Sequence, residues 1–159
     1  MNKKPEWLAH FPELNFPSYP FRLEKREGNV FIFDSFRKKM VRLTPEEWVR
    51  QHAAFYLVES FGYPAGVMST EAPAKMKGKN FRTDLLVYNA QAQPALLVEC
   101  KAPSVKITQA VFDQAAAYNY HFHLPYFFLT NGFDHYCCRV DAELKQYHFL
   151  ETLPDYKSL

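Results

Sequence analysis

Cysteine is scarce in this chain, with three among 159 residues, and two of these, Cys137 and Cys138, are adjacent. An odd count with no C-x-x-C spacing excludes a disulfide framework and leaves a reducing, cytoplasmic setting as the expectation. Long apolar runs are absent too. No stretch reaches the ~18 residues that span a bilayer. The opening residues, MNKKPEWLAHFPELNFP, lack the apolar segment of a secretory signal. Neither charge sign dominates, and a net charge of +2 is too small to argue by itself for nucleic-acid binding. There is no internal repeat and no low-complexity tract. What remains is an ordinary soluble domain, 48% hydrophobic and 23% charged, of a length that suits one core. Its 15 Phe and 10 Tyr favour a fold with a sheet, because aromatic rings pack well on pleated surfaces.

Basic residues are unevenly spread. Arg22, Lys25, Arg26, Arg37, Lys38, Lys39 and Arg42 crowd the N-terminal third, and Lys75, Lys77, Lys79 and Arg82 form a second group with no acid among them. Two readings stay open for both groups: solvated faces, or a surface that contacts phosphate.

The first twenty residues, rich in proline and aromatics, are expected to lie extended over the core. Segments 21–26 and 30–34 flank Glu27-Gly28-Asn29, a hairpin turn, and a third short strand follows at 39–43. Thr44-Pro45-Glu46-Glu47 starts a helix. Thr44 caps it, Pro45 occupies the first turn, Glu47 can close a capping box, and Gly62 stops it. Residues 65–71 are expected as a strand and 73–81 as a loop, given Pro73, Gly78 and Asn80. RTDLLVY (82–88) and ALLVECK (95–101) read as strands around a turn-like connector. Residues 107–122 have helical spacing, YFFLT (126–130) is a buried strand, and 135–140 and 145–150 form a closing hairpin. The sequence thus predicts an α/β fold with a mixed sheet, residues 1–43 forming an N-terminal extension with a β-hairpin and 44–159 the main domain.

Chemistry concentrates in two of these strands. Strand side chains alternate, so Glu99 and Lys101 share a face, roughly 7 Å apart. If the connector turns near residues 91 and 92, Asp84 falls opposite Glu99, with Cβ atoms ~5 Å apart. Two carboxylates so placed repel each other. Lys101 offsets part of that charge, and a divalent cation would offset the rest. Two hard oxygen donors suit Mg²⁺, with Mn²⁺ as a substitute. The alternative is a salt-bridged strand end facing solvent. Against it, the apolar run before Glu99 marks a strand buried on both faces, where a carboxylate and an ammonium are costly unless paired or functional.

These residues carry a family resemblance. Asp84 followed by Glu99-Cys100-Lys101 resembles the PD-(D/E)xK nuclease pattern. The longer set, LLVECKAP, Phe112-Asp113-Gln114 with Tyr118-Asn119, and Leu129-Thr130-Asn131-Gly132, resembles the N-terminal nuclease domain of type I restriction enzyme R subunits over roughly residues 44–140. The resemblance implies a restriction-endonuclease-like core, α-β-β-β-α-β, with a mixed central sheet flanked by helices. It implies a magnesium-dependent DNA endonuclease in which Asp84 and Glu99 bind metal and Lys101 is the catalytic lysine. Gln114 and Tyr118 match the family's helix motif, which supports the site and DNA contact. An acidic residue on the first helix often completes such sites. Glu47 is the candidate, with Glu59 behind it. Lys77, Lys79 and Arg82 are further DNA-contact candidates.

The chain departs from the family in one respect. It contains no G-x-x-x-x-G-K-S/T phosphate loop, so ATP-driven motor activity does not carry over, and the expectation is a nuclease acting alone or beside a separate motor or restriction-modification subunit. The rival is a non-catalytic module that keeps the fold and binds DNA or a protein partner. An RNA-directed nuclease is a third reading. The six histidines show no ligand spacing.

Overall fold

The computed structural model describes residues 5–76 and 79–159, without the side chains of 71–81 and His121. An antiparallel sheet comes first: β1 (Leu23–Arg26), β2 (Asn29–Asp34) and β3 (Lys39–Arg42). Glu27 and Gly28 take left-handed backbone in the β1–β2 turn, where the sequence places a hairpin. Helix α1 (Pro45–Phe61) follows, with Thr44 accepting the Glu47 amide at its start and Gly62 left-handed at its end.

The second sheet has six strands in chain order: β4 (Met68–Met76), β5 (Lys79–Tyr88), β6 (Pro94–Cys100), β7 (Tyr126–Thr130), β8 (His135–Asp141) and β9 (Gln146–Leu150). Every ladder is antiparallel except β6–β7, which is parallel because helix α2 (Gln109–Phe122) makes the crossover between them. The element order α1-β4-β5-β6-α2-β7 and the mixed sheet match the expected sequence of elements.

Two expectations need correction. Residues 65–67 form a turn of 3-10 helix, and the strand begins at Met68. Residues 73–81, expected as a loop, lie largely in β4 and β5, paired from Pro73–Arg82 to Met76–Lys79. Pro73, Gly78 and Asn80 are local breakers, and a nine-residue antiparallel ladder outweighs them.

The sheet is covered on both faces, and strand alternation assigns each residue its layer. Leu96, Val98 and Cys100 of β6, with Phe128 and Cys137, join the core that contains Val49, Ala53 and Leu57 of α1. Leu97, Phe127, Leu129 and Cys138 join the other core, under Phe112, Ala115 and Ala116 of α2. The adjacent cysteines Cys137 and Cys138 therefore point into different cores. Ile32, Phe11 and Leu14 of the N-terminal region are buried in the α1-side core, which explains why α1 buries residues nearly all round. Among the described residues, no helix is long and apolar enough to cross a membrane.

Candidate active site

The β5–β6 register runs Leu85–Val98, Leu86–Leu97 and Val87–Leu96, with an irregularity only at the connector, so Asp84 and Glu99 are next in line. Glu99 lies at the end of β6 that leads into the loop before α2, and Asp84 lies opposite it in the middle of β5. The Lys101 amide donates to the Thr130 carbonyl at 2.8 Å, continuing the parallel ladder one residue past β6. Asp84 Oδ2 accepts the Cys100 amide at 2.7 Å, which fixes this carboxyl against the β6 backbone.

Glu99 and Lys101 line a cleft of about 180 Å³ with Arg82, Thr83, Tyr118 and Phe122. Asp84 lines a second cleft, of about 370 Å³, with Glu46, Glu47 and Arg50 of α1 and with Arg37, Val41, Arg42 and Thr44. The acidic pair is thus divided between two clefts, Glu99 lining the one under α2 and Asp84 the one beside α1.

Electrostatics are unusual for two adjacent acids. Burial pushes the Glu99 carboxyl up to about 8, and the charge of Asp84 and a hydrogen bond with it add to the rise, while Lys101 opposes it. Burial also raises Asp84. The Cys100 amide, Arg50 and Lys101 pull it down, and Glu46 pushes it up. At neutral pH the pair therefore tends to retain one proton between two carboxyls, a deficit of positive charge at a mouth lined by oxygen donors. A hard divalent cation fits that donor set, because Mg²⁺ commonly takes one or two carboxylates and keeps several waters. Among the described residues, no three His, Cys, Asp or Glu side chains are grouped as a complete metal cage.

The other predicted residues fall as follows. Tyr118 reaches the Glu99–Lys101 cleft, while Gln114, one turn earlier on α2, is exposed and is not part of its lining. Arg82 is exposed on the rim. Lys79 belongs to β5, and Lys77 lies outside the described residues. Glu47 faces the second cleft, but its carboxylate is already engaged. It accepts Arg37 Nη2 at 2.5 Å and Gln51 Nε2 at 2.8 Å, and it pairs with Arg50. It therefore does not close the capping box that its spacing suggests. The α1 acid whose charge reaches both Asp84 and Glu99 is Glu46, which is exposed. Sequence reasoning passed over Glu46. One available signal was the position of Arg50, three residues after Glu47 on the same helical face.

Thr130-Asn131-Gly132 acts as a brace for the site. Thr130 Oγ1 accepts the Gly132 amide and pairs with His135 Nδ1, and Asn131 Oδ1 accepts the amides of Phe133 and Asp134. Asn131 Nδ2 donates to the Val105 carbonyl at 2.8 Å, which ties down the loop that follows Lys101.

Residues 45–154, well over half of the chain, match the model of the type I restriction enzyme R protein N terminus (HSDR_N), and the chain belongs to that family. Among solved structures it is similar to a fragment assigned as the HsdR subunit of a type I restriction enzyme from Vibrio vulnificus YJ016. The TM-score is 0.51 at 19% identity, covering 71% of this chain and 24% of that one. The likeness is one of fold, and this chain spans about a quarter of the length of that chain. No curated protein sequence matches it.

Proposed function

We propose that this domain hydrolyses phosphodiester bonds in DNA with the help of Mg²⁺ held by Asp84 and Glu99. The observation that carries the proposal is the placement, side by side across β5 and β6, of two half-buried carboxyls with raised proton affinity, one of which shares its cleft with a lysine. Membership in a restriction-enzyme family supports it, and so does the element order α-β-β-β-α-β of the PD-(D/E)xK core.

When bound, the ion would polarise a phosphate oxygen and acidify a coordinated water. Asp84, locked by the Cys100 amide, presents its second oxygen in a fixed direction. Glu99 supplies the second carboxylate after losing its proton. Lys101 orients the attacking water and offsets charge developing on the phosphate. Tyr118 and Arg82, on the walls of the cleft, contact the strand on either side of the scissile bond. Glu46, rather than the engaged Glu47, is the α1 acid available to hold a water of the ion.

The test is cleavage of plasmid and linear DNA in Mg²⁺ against EDTA. Lys101→Ala should lower the rate by about 10²–10⁴-fold without loss of fold. Cleavage that persists at the wild-type rate in Lys101→Ala would sink the assignment.

One observation favours a second reading, a non-catalytic DNA-binding module: Asp84 lines a different cleft from Glu99 and Lys101. Calorimetry separates the two. Mn²⁺ binding that disappears in Asp84→Ala supports the nuclease. DNA binding with no metal binding supports the module.

A further inference from the structure

We propose that the outer face of the N-terminal sheet is a phosphate-contacting surface that carries a DNA strand to and from the Asp84–Glu99 site. The proposal rests on the nuclease reading above and extends it to residues 22–42, which precede the part of the chain that matches the family model.

The three-stranded sheet has two chemically different faces. Ile32 is fully buried, and Leu23, Val30 and Val41 pack with it against the α1-side core. Alternation and register put Glu24, Arg26, Phe31, Phe33, Met40 and Arg42 on the opposite face, with Glu24 beside Phe31 and Phe31 beside Arg42. Arg22, just before β1, joins this face: its guanidinium lies 5.8 Å from the Phe33 ring centre, as Arg26 lies 5.7 Å from Phe31. Glu24 holds both guanidiniums, with Arg22 Nη2 at 2.7 Å from Oε1 and Arg26 on Oε2.

This arrangement differs from a solvated face with freely rotating lysines. The guanidiniums of Arg22 and Arg26 each lie over an aromatic ring and are steered by one shared carboxylate, yet their side chains remain 67% and 56% exposed. Much of the entropy cost of ordering an arginine on a phosphate has been met in advance. Three guanidiniums face one carboxylate, so the surface keeps a positive excess that complements a polyanion.

Arg42 connects this surface to the site. It lines the cleft that contains Asp84, and also a cavity of about 490 Å³ on the far side, walled by Trp7, His10, Lys25 and the β1–β2 turn. Across β2, Phe31 separates Arg42 from Arg26, so a strand that reaches Arg42 from the Asp84 cleft continues onto the Arg22–Arg26 pair. Arg37, of the same basic cluster, takes no part: its side chain is only 15% exposed and is paired with the nearly buried Asp34 and Glu47.

The experiment is fluorescence anisotropy of a labelled duplex oligonucleotide with the whole chain in EDTA, over a salt series. The variants are R22A/R26A/R42A, R42A alone and E24Q, with thermal melting as the folding control. Each phosphate contact contributes about 0.9 to the slope of log affinity against log salt, so the triple variant should lose about 2–3 from that slope and R42A about 1. Affinity at low salt should fall at least about 10-fold in the triple variant, and E24Q, which keeps an oxygen to steer the guanidiniums but removes the negative charge, should bind more tightly than wild type. Unchanged slope and affinity in a folded R42A or triple variant overturns the proposal, as does a wild-type chain that binds no duplex. The nuclease reading fails separately. A protein that shows these charge dependences but does not cut in Mg²⁺ keeps the surface and loses the nuclease. One that cuts, yet binds identically after the substitutions, keeps the nuclease and loses the surface.

Discussion

Asp84 and Glu99 lie side by side across the β5–β6 strands, and Asp84 is anchored there by the backbone amide of Cys100, 2.7 Å from its Oδ2. One carboxyl is thereby fixed in place while its neighbour bears the electrostatic consequence: Glu99 is driven from an ordinary value near 4.5 to about 8, first by burial and then by the charge of Asp84.

That displacement predicts how stability follows pH. A group whose folded pKa lies above its unfolded one binds more protons in the folded state, so its stabilisation is complete below pH ~4.5 and is lost as pH rises through about 8. Metal-free protein should therefore melt at progressively lower temperature over that window, as followed by circular dichroism. Glu99→Gln should flatten the dependence. Mn²⁺ should restore stability most strongly at the alkaline end, where the carboxylates are free to coordinate. A melting temperature independent of pH in the wild type would contradict this account.

Asp84 has two separable roles, and two substitutions distinguish them. Asp84→Asn keeps an oxygen for the Cys100 amide and removes the charge, so fold stability should change little while metal affinity collapses. Asp84→Ala also removes the acceptor and should cost about 1–3 kcal/mol in urea unfolding. Equal stability of the two variants would mean that the Cys100 hydrogen bond contributes nothing.

On α1, neighbouring glutamates should behave oppositely. Glu47 joins Arg37, Arg50 and Gln51 in a nearly buried cluster, and its removal takes one carboxylate partner from each of two guanidiniums, so Glu47→Ala should destabilise the fold by about 3 kcal/mol. Glu46 is exposed, so Glu46→Gln should leave unfolding within about 0.5 kcal/mol of wild type. It should weaken Mn²⁺ binding measured by calorimetry. The reverse pattern would return the metal role to Glu47.

Gly132 sits at φ +90°, and a Cβ there would meet Leu14 Cδ2 at 2.7 Å. Gly132→Ala combines backbone strain with a clash against the N-terminal segment, at a cost of about 1–3 kcal/mol. Leu14→Ala opens a cavity of its own, so it serves as the reference: in that background Gly132→Ala should cost only the backbone part. Chemical denaturation of both single variants and the double variant checks this, and a Gly132→Ala cost of zero in the Leu14→Ala background would mean the backbone strain is negligible.

The sequence made much of this architecture legible. Thr44, Pro45 and Gly62 marked the ends of α1 because capping chemistry is local. The apolar runs at 95–98 and 126–130 revealed buried strands because full burial leaves no polar face to alternate with. A short connector is the reason the Asp84–Glu99 register was readable. Residues 73–81 were misread because Pro73, Gly78 and Asn80 carry turn propensity, whereas the β4–β5 ladder is sustained by pairing between strands, which no single segment displays.

By itself, then, the sequence determined the order of elements, the burial of the central strands and the side of β6 on which Glu99 and Lys101 stand, all consequences of local propensity and of the two-residue period of a strand. Only the tertiary structure decided which cation each acid meets. Glu46 and Glu47 are adjacent and chemically identical, yet one is left facing the acidic pair and the other is consumed by Arg37, which arrives from the β2–β3 turn ten residues earlier. Coulomb energies depend on separation in space and on burial, and neither is encoded by position along the chain.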